Sequence, residues 1–267
     1  MTVLREAPAQ ASTFHAALWG LPAVLLAELD AVAACQLRRD RKYLLAAAEL
    51  PHLIERLPEG TRVLQIGAER CFEYSSCYLD TPALDSYHAA GLKRRRRAKV
   101  RLRRYETTGG EFLEVKIAGP RRMTVKHRRP HNGAMPLSAD ALEFVDEVLG
   151  AARVDLQTRA LRPALSTSYV RVTLCLPGED GPYRTTIDTS LTCALPEGEE
   201  SDFGGLAVVE TKGGVRPTEL DRLFWHLGHR PCRFSKFGVG LAALSPGLSP
   251  EKWFRALDHD VPAALGY

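Results

Sequence analysis

Between residues 98 and 105 the chain reads AKVRLRRY, with Lys99, Arg101 and Arg103 alternating with Val100 and Leu102. A period of two places the cations on one face of a strand and the aliphatics on the other. Comparable strand patterns are read at 36–45 (QLRRDRKYLL), 61–67, 72–80, 111–118 (EFLEVKIA), 122–128, 165–175, 183–188 and 206–212. Gly109-Gly110 and Gly119-Pro120 punctuate the central three strands. Helical spacing predicts helices over about 21–34, 47–57, a segment capped by Ser138 (SADALEFVDEVLG) and 217–228, which a proline opens. A short helix is expected in TPALDSYHAAG, residues 1–13 are expected to be a loose tail, and FSKFGVGL (234–241) follows the last helix. There is no fixed-period repeat and no low-complexity segment. The reading is one α+β domain over 36–245, preceded by a tail and helix (1–35) and followed by an extension (246–267). About eight or nine strands with few long helices predict a mostly antiparallel β-barrel with peripheral helices.

The polar faces carry the chemistry. Lys42 shares a face with Arg38 and Asp40, Glu114 and Lys116 alternate with Val115, and Lys126 lies with Thr124 and Arg128. Arg171 shares a face with Tyr169, Arg184 with Asp188, and Glu210 with Lys212. On a single strand such a face is ordinarily solvated. Repeated on most strands of one barrel, it predicts a polar, basic interior. Two cations ~6 Å apart repel by roughly 3 kcal/mol at an effective dielectric near 20. A ring of them is compatible with a net stability of ~5–15 kcal/mol only if a polyanion, or water and counterions, fills the space. Glu210, read as an isolated carboxylate in a basic lining, suits a hard ion such as Mg²⁺ or Mn²⁺.

Composition narrows the partner. The 267 residues are 45% hydrophobic and 25% charged, ordinary for a globular chain, and the net charge is +4. The charge is uneven. Residues 93–130 hold 15 Lys/Arg against 3 acidic residues, a local excess of 12, which leaves the rest of the chain at −8. That asymmetry predicts a site for anions. Nucleic acid is disfavoured, because aromatic residues scarcely interleave with the basic window. Arg94–Arg97 are read as a solvated, phosphate-attracting entrance. Cys35, Cys71, Cys77, Cys175, Cys193 and Cys232 form no CxxC pair or zinc spacing and are expected to be reduced thiols. No run reaches the ~18 apolar residues of a membrane span, and no signal-peptide pattern is present, so cytoplasm is the expected compartment.

Taken in order, RKYLL (41–45), CYLDTPALDSY (77–87), KVRLRRY (99–105), FLEVK (112–116), SYVRVTL (168–174), YRTTID (183–188), VVETK (208–212) and FSKFGVG (234–240) resemble the catalytic domain of the vacuolar transporter chaperone (VTC) family, within the triphosphate tunnel metalloenzyme superfamily. The resemblance covers about 38–241. It implies a closed antiparallel β-barrel whose basic tunnel binds a nucleoside triphosphate or polyphosphate, with a glutamate holding Mn²⁺ or Mg²⁺. It implies that Arg101, Arg103, Lys116, Arg171 and Arg184 hold the triphosphate and stabilise the transferring phosphoryl group. Lys42, Lys126, Lys236, Lys212 and Arg128 would bind acceptor and product. Arg122 or Arg128 could replace Lys126 in register, and Lys212 could instead partner Glu210, the implied metal ligand. The implied activity is transfer of the ATP γ-phosphate onto inorganic polyphosphate. One departure narrows the branch: where the related cyclase and thiamine triphosphatase branch carries ExExK, this chain has Arg38, Asp40 and Lys42, which argues against a second metal site.

Two other readings stay open. A triphosphatase would use the same tunnel with water as acceptor, oriented by Glu114 or Glu210. A non-catalytic binder of polyphosphate or inositol phosphate would need only the cations. Neither a Walker A nor a GxSxG motif offers another chemistry.

Overall fold

The computed structural model describes residues 8–34, 39–118, 124–248 and 253–265. Among them, eleven strands form one sheet. These are β1 (Ala23–Val24), β2 (Arg39–Ala46), β3 (Arg62–Leu64), β4 (Phe72–Asp80), β5 (Ala98–Tyr105), β6 (Glu111–Ala118), β7 (Thr124–Pro130), β8 (Arg162–Leu176), β9 (Tyr183–Ala194), β10 (Glu200–Phe203) and β11 (Leu206–Gly213). The helices are α1 (Pro8–Trp19), α2 (Leu26–Ala34), α3 (Leu50–Glu55), α4 (Asp85–Gly91), α5 (Ala139–Ala151), α6 (Glu219–His226), α7 (Lys236–Leu244), α8 (Trp253–Arg255) and α9 (Val261–Leu265). The main path runs β2-β11-β9-β8-β4-β5-β6-β7, with β1, β3 and β10 attached at the side. Every pairing along that path is antiparallel.

The expected closed barrel is not formed. β2 and β7 are the two ends of the path, and no pairing among the described residues joins them. The outer edge of β2 is taken instead by the segment before α7, where the Cys232 amide donates to the Lys42 carbonyl at 2.8 Å. β7 is left with exposed residues from Val125 to Arg128.

The sheet nevertheless curls tightly. Lys42 on β2 and Lys99 on β5 lie five strand steps apart, about 24 Å along a flat sheet. Yet each is within electrostatic reach of the other, as are Lys116 on β6 and Glu210 on β11. The alternation therefore separates a concave from a convex face. Most convex side chains are apolar and lie under helices. Tyr43, Leu45, Val172, Leu174, Ile187 and Val209 pack with Phe14 and Leu18 of α1, Leu50 and Leu53 of α3, and Phe224 of α6. Val100, Leu102, Leu113 and Val115 pack with Ala141, Val145 and Leu149 of α5. One end of the concave face is filled by Phe237, Val239 and Leu241 of α7, with Trp253, Ala256 and Val261 from the C-terminal extension, against Leu44, Tyr78, Leu165, Leu206 and Val208.

Most strands fall where the alternation places them, and the Ser138 cap holds, its Oγ accepting from the Ala141 amide at 3.3 Å. Residues 8–13 of the expected tail belong instead to helix α1, which the burial of Phe14 and Leu18 explains. Residues 236–244, left unassigned by the pattern, form α7, capped by Ser235. Among the described residues no helix is long and apolar enough to cross a membrane. Arg38, Arg122 and Cys35 lie outside the described residues.

Candidate functional site

Cross-strand register builds the site. Residues directly opposite on neighbouring strands share a face, so the pairings Lys99↔Lys116↔Lys126 and Arg101↔Glu114↔Arg128 put six charged side chains from β5, β6 and β7 on the concave side. Lys126 and Arg128 are thus both in register. On the other half, Lys42↔Glu210 and Arg184↔Lys212 continue the lining across β2, β11 and β9. Arg171↔Asp188 does so across β8 and β9. Arg103 joins from β5 opposite Ser76. Lys236 comes from the first position of α7, its Nζ 4.3 Å from the Tyr169 ring centroid. The concave face brings together ten of the eleven sequence-predicted residues, and α7 delivers the eleventh.

The cations are not free of counter-charge. Glu114, fully buried, accepts from Arg101 Nε at 2.8 Å and Nη2 at 2.5 Å. It also accepts from Lys126 Nζ at 3.3 Å and lies 3.7 Å from Arg103 Nε. Asp188 takes the fork of Arg171 at 2.6 and 2.8 Å and a further bond from Lys236. Glu210 is not isolated: Lys212 donates to it at 2.5 Å, and Lys42 lies 3.7 Å away. The expectation of a lone carboxylate in a uniformly basic lining is corrected accordingly. A buried charge needs a paired, hydrogen-bonded partner, and one carboxylate per two or three cations supplies it while leaving the face positive. Both oxygens of Glu114 are thereby engaged by cations.

The titration of these groups follows from that packing. Burial works against ionising Glu114, but Arg101, then Arg103 and Lys126, hold its pKa at about 2. Asp188 is held well below the usual carboxylate range by Arg171 and Lys236 against the same burial. Glu210 is held low by Lys212 and Lys42, again against burial. Lys116 is pushed well down by Arg101, then by burial and Arg103. Burial, then Lys42, Arg101 and Arg97, bring Lys99 down to about 7. Lys99 donates to Ser235 Oγ at 2.6 Å, and Lys42 to the Phe234 carbonyl at 3.2 Å. Cations from β2 and β5 thus tether the strap that leads into α7.

A divalent ion fits this face in one way. Among the described residues no three His, Cys, Asp or Glu side chains gather into a ligand set. Glu210 offers carboxylate oxygens of the right hardness with 18% of its side chain exposed, so an ion there would take its remaining ligands from phosphate oxygens, as Mg²⁺ commonly does.

Sequence reasoning missed the pairing roles of Glu114 and Asp188, although both share faces with cations that the alternation had already identified. It also missed the aromatic wall. Tyr74 and Tyr169 stack at 5.5 Å between centroids, with the guanidinium carbon of Arg103 5.4 and 6.0 Å from the two rings. Arg94–Arg96 are exposed, as read. Asp80 accepts from the Thr81, Ser86 and Tyr87 amides at 2.9 Å and organises the turn into α4.

The family model described as the VTC domain matches residues 37–245. No curated protein matches the chain at a significant level. Among solved structures, the chain is similar to the PH1819 protein of Pyrococcus horikoshii OT3, at 15% identity over 76% of this chain and 96% of that one, with a TM-score of 0.42. It is also similar to HpAC1 of Hippeastrum, described as a candidate adenylyl cyclase with a dominant triphosphatase activity. There the identity is 13% over 80% of this chain and 98% of that one, with a TM-score of 0.44.

Proposed function

The chain belongs to the VTC domain family, and on that premise we propose that it is a triphosphate-tunnel enzyme, a metal-dependent polyphosphate polymerase transferring the γ-phosphate of ATP to a polyphosphate chain. The observation that carries the choice of acceptor is the engagement of the concave-face carboxylates. A carboxylate that orients and deprotonates water must have an oxygen free to accept the proton. Glu114 is sealed under Arg101 and Lys126, Asp188 under Arg171 and Lys236, and Glu210 holds Lys212. A phosphate acceptor is already anionic near neutral pH and needs no base.

In this reading Arg101, Arg103, Lys116, Arg171 and Arg184 bind the triphosphate and spread their charge over the transferring group, where positioning and electrostatics supply most of the catalysis. Arg101 and Arg171 are pre-aimed by their carboxylates, so little reorganisation is left for the reaction itself. Lys42, Lys126, Lys236 and Arg128 guide the acceptor and product. Glu210 would hold Mn²⁺ or Mg²⁺, which would supply charge neutralisation of the phosphate oxygens. Lys212 is the hydrogen-bond partner of Glu210.

Incubating the protein with ATP and Mn²⁺ and resolving the products on a gel tests the reading. Chains of many phosphates are the expected product. Free phosphate without chains would instead indicate a triphosphatase, and tight binding without turnover a polyphosphate or inositol phosphate binder.

A further inference from the structure

Three buried polar groups in adjacent register have no hydrogen-bond partner among the described residues: Arg103 Nε, Ser76 Oγ and Thr167 Oγ1. Ser76 stands opposite Arg103 on β5 and opposite Thr167 on β8, so the three form one row across the floor of the concave face. All are more than nine-tenths buried, at 4%, 6% and 3% exposure for Ser76, Arg103 and Thr167. A buried hydroxyl without a partner costs free energy and calls for an explanation. Two side by side beneath an arginine indicate that the floor is built for an acceptor that arrives from outside. The arrangement is also asymmetric. Arg101 is fixed by three hydrogen bonds, two to Glu114 and one to Tyr78 at 3.2 Å. Among the described residues, Arg103 is held only by its 3.7 Å approach to Glu114 and by the Tyr74 and Tyr169 rings. Arg101 is therefore a fixed post, and Arg103 a cover that can turn without breaking a hydrogen bond.

We propose that Ser76, Thr167 and Arg103 form a subsite that takes a phosphoryl oxygen of the bound triphosphate, with both hydroxyls donating to it. The subsite deepens the functional reading given above and rests on it. Neutral donors add specificity where a further cation would add only charge. A hydroxyl donates along a defined direction and fixes the register of the chain in the trough, whereas the surrounding cations attract any anion. Arg103 covers the hydroxyls while the site is empty, then follows the phosphoryl oxygen when it enters.

Tripolyphosphate binding by calorimetry and thermal unfolding of the free protein, measured on the same preparations, test this. Ser76→Ala and Thr167→Val each weaken tripolyphosphate binding by about tenfold, the loss of one hydrogen bond to a charged group. The melting temperature of the free protein is unchanged or raised, because an unpartnered buried hydroxyl is removed. Thr167→Ser, which keeps the hydroxyl, retains wild-type affinity. Unchanged affinity in the Ser76→Ala/Thr167→Val double variant overturns the subsite whatever its melting temperature. Wild-type protein that fails to bind tripolyphosphate overturns the functional reading itself, so the two failures are distinguishable.

Discussion

Arg101 and Glu114, opposite each other on β5 and β6, form an ion pair whose side chains are only 7% and 0% exposed, with both Nε and Nη2 of the arginine on the same carboxylate oxygen. A pair this deep is weak evidence for stability as such, but removing one partner strands the other. Glu114→Gln leaves Arg101, Arg103 and Lys126 facing one another without a counter-charge. The expected cost is about 3–5 kcal/mol, a fall in melting temperature of roughly 6–20 °C for a chain of this size. Tripolyphosphate, which supplies the missing negative charge, restores more of the melting temperature in the variant than it adds to the wild type. Equal shifts in both proteins would show that the polyanion does not sit near Glu114.

Lys116 shows the opposite balance. Arg101 and Arg103 disfavour its charged form, and burial adds to the effect. Lys116→Met is expected to raise the stability of the free protein by roughly 1 kcal/mol, within the usual range for relieving a functional strain. It is also expected to weaken tripolyphosphate binding about tenfold, the loss of one charged hydrogen bond. Calorimetric titration and thermal unfolding together check the two signs. A loss of stability without a loss of affinity would place Lys116 outside the binding surface.

The depressed lysines set a pH dependence whose sign is fixed. Lys99 titrates at about 7 in the folded protein, against an ordinary 10.5 unfolded. Above 7 the unfolded chain therefore binds more protons, and stability rises with pH until about 10.5. Lys116, Lys126 and Lys212, also lowered, act in the same direction. Lys42, raised through Glu210 despite its burial, opposes them weakly. The free protein should be more stable at pH 9 than at pH 7, whereas tripolyphosphate affinity should fall over the same interval as Lys99 loses its charge. Denaturant titrations at the two pH values, paired with binding measurements, read both trends.

Glu210→Gln separates the metal from the phosphate. The substitution removes the hard ligand and frees Lys212 and Lys42, which lie 2.5 and 3.7 Å from the carboxylate. Metal-dependent turnover should be lost while metal-free tripolyphosphate binding is kept or tightened. Turnover preserved in this variant would dismiss Glu210 as the metal ligand.

Much of this site is legible in the letters, because a strand writes its two faces into alternate positions. Lys99, Arg101 and Arg103 against Val100 and Leu102 are enough to predict a polar and an apolar side, and register places the same contrast on β6, β8, β9 and β11. Closure was not legible. Whether β2 meets β7 depends on which segment captures the outer edge of β2, and the Cys232 amide does so from a stretch nearly two hundred residues away. The first half of helix α1 was missed because its sequence, PAQASTFHAALW, has no charged face to set a period. Only the burial of Phe14 and Leu18 reveals it. The pairing of Glu210 with Lys212, two residues apart on one face, was legible in VVETK as one of the two readings of Lys212, and the structure shows it at 2.5 Å.

The measurement that bears most directly on the account is a crystal structure of the protein with tripolyphosphate bound. The account predicts phosphoryl oxygens on the concave face, within hydrogen-bonding distance of Arg101, Arg103 and Arg171. Tripolyphosphate found only on the exposed arginines 94–96 or on the convex side, with the concave cations still closed on Glu114 and Asp188, would contradict it.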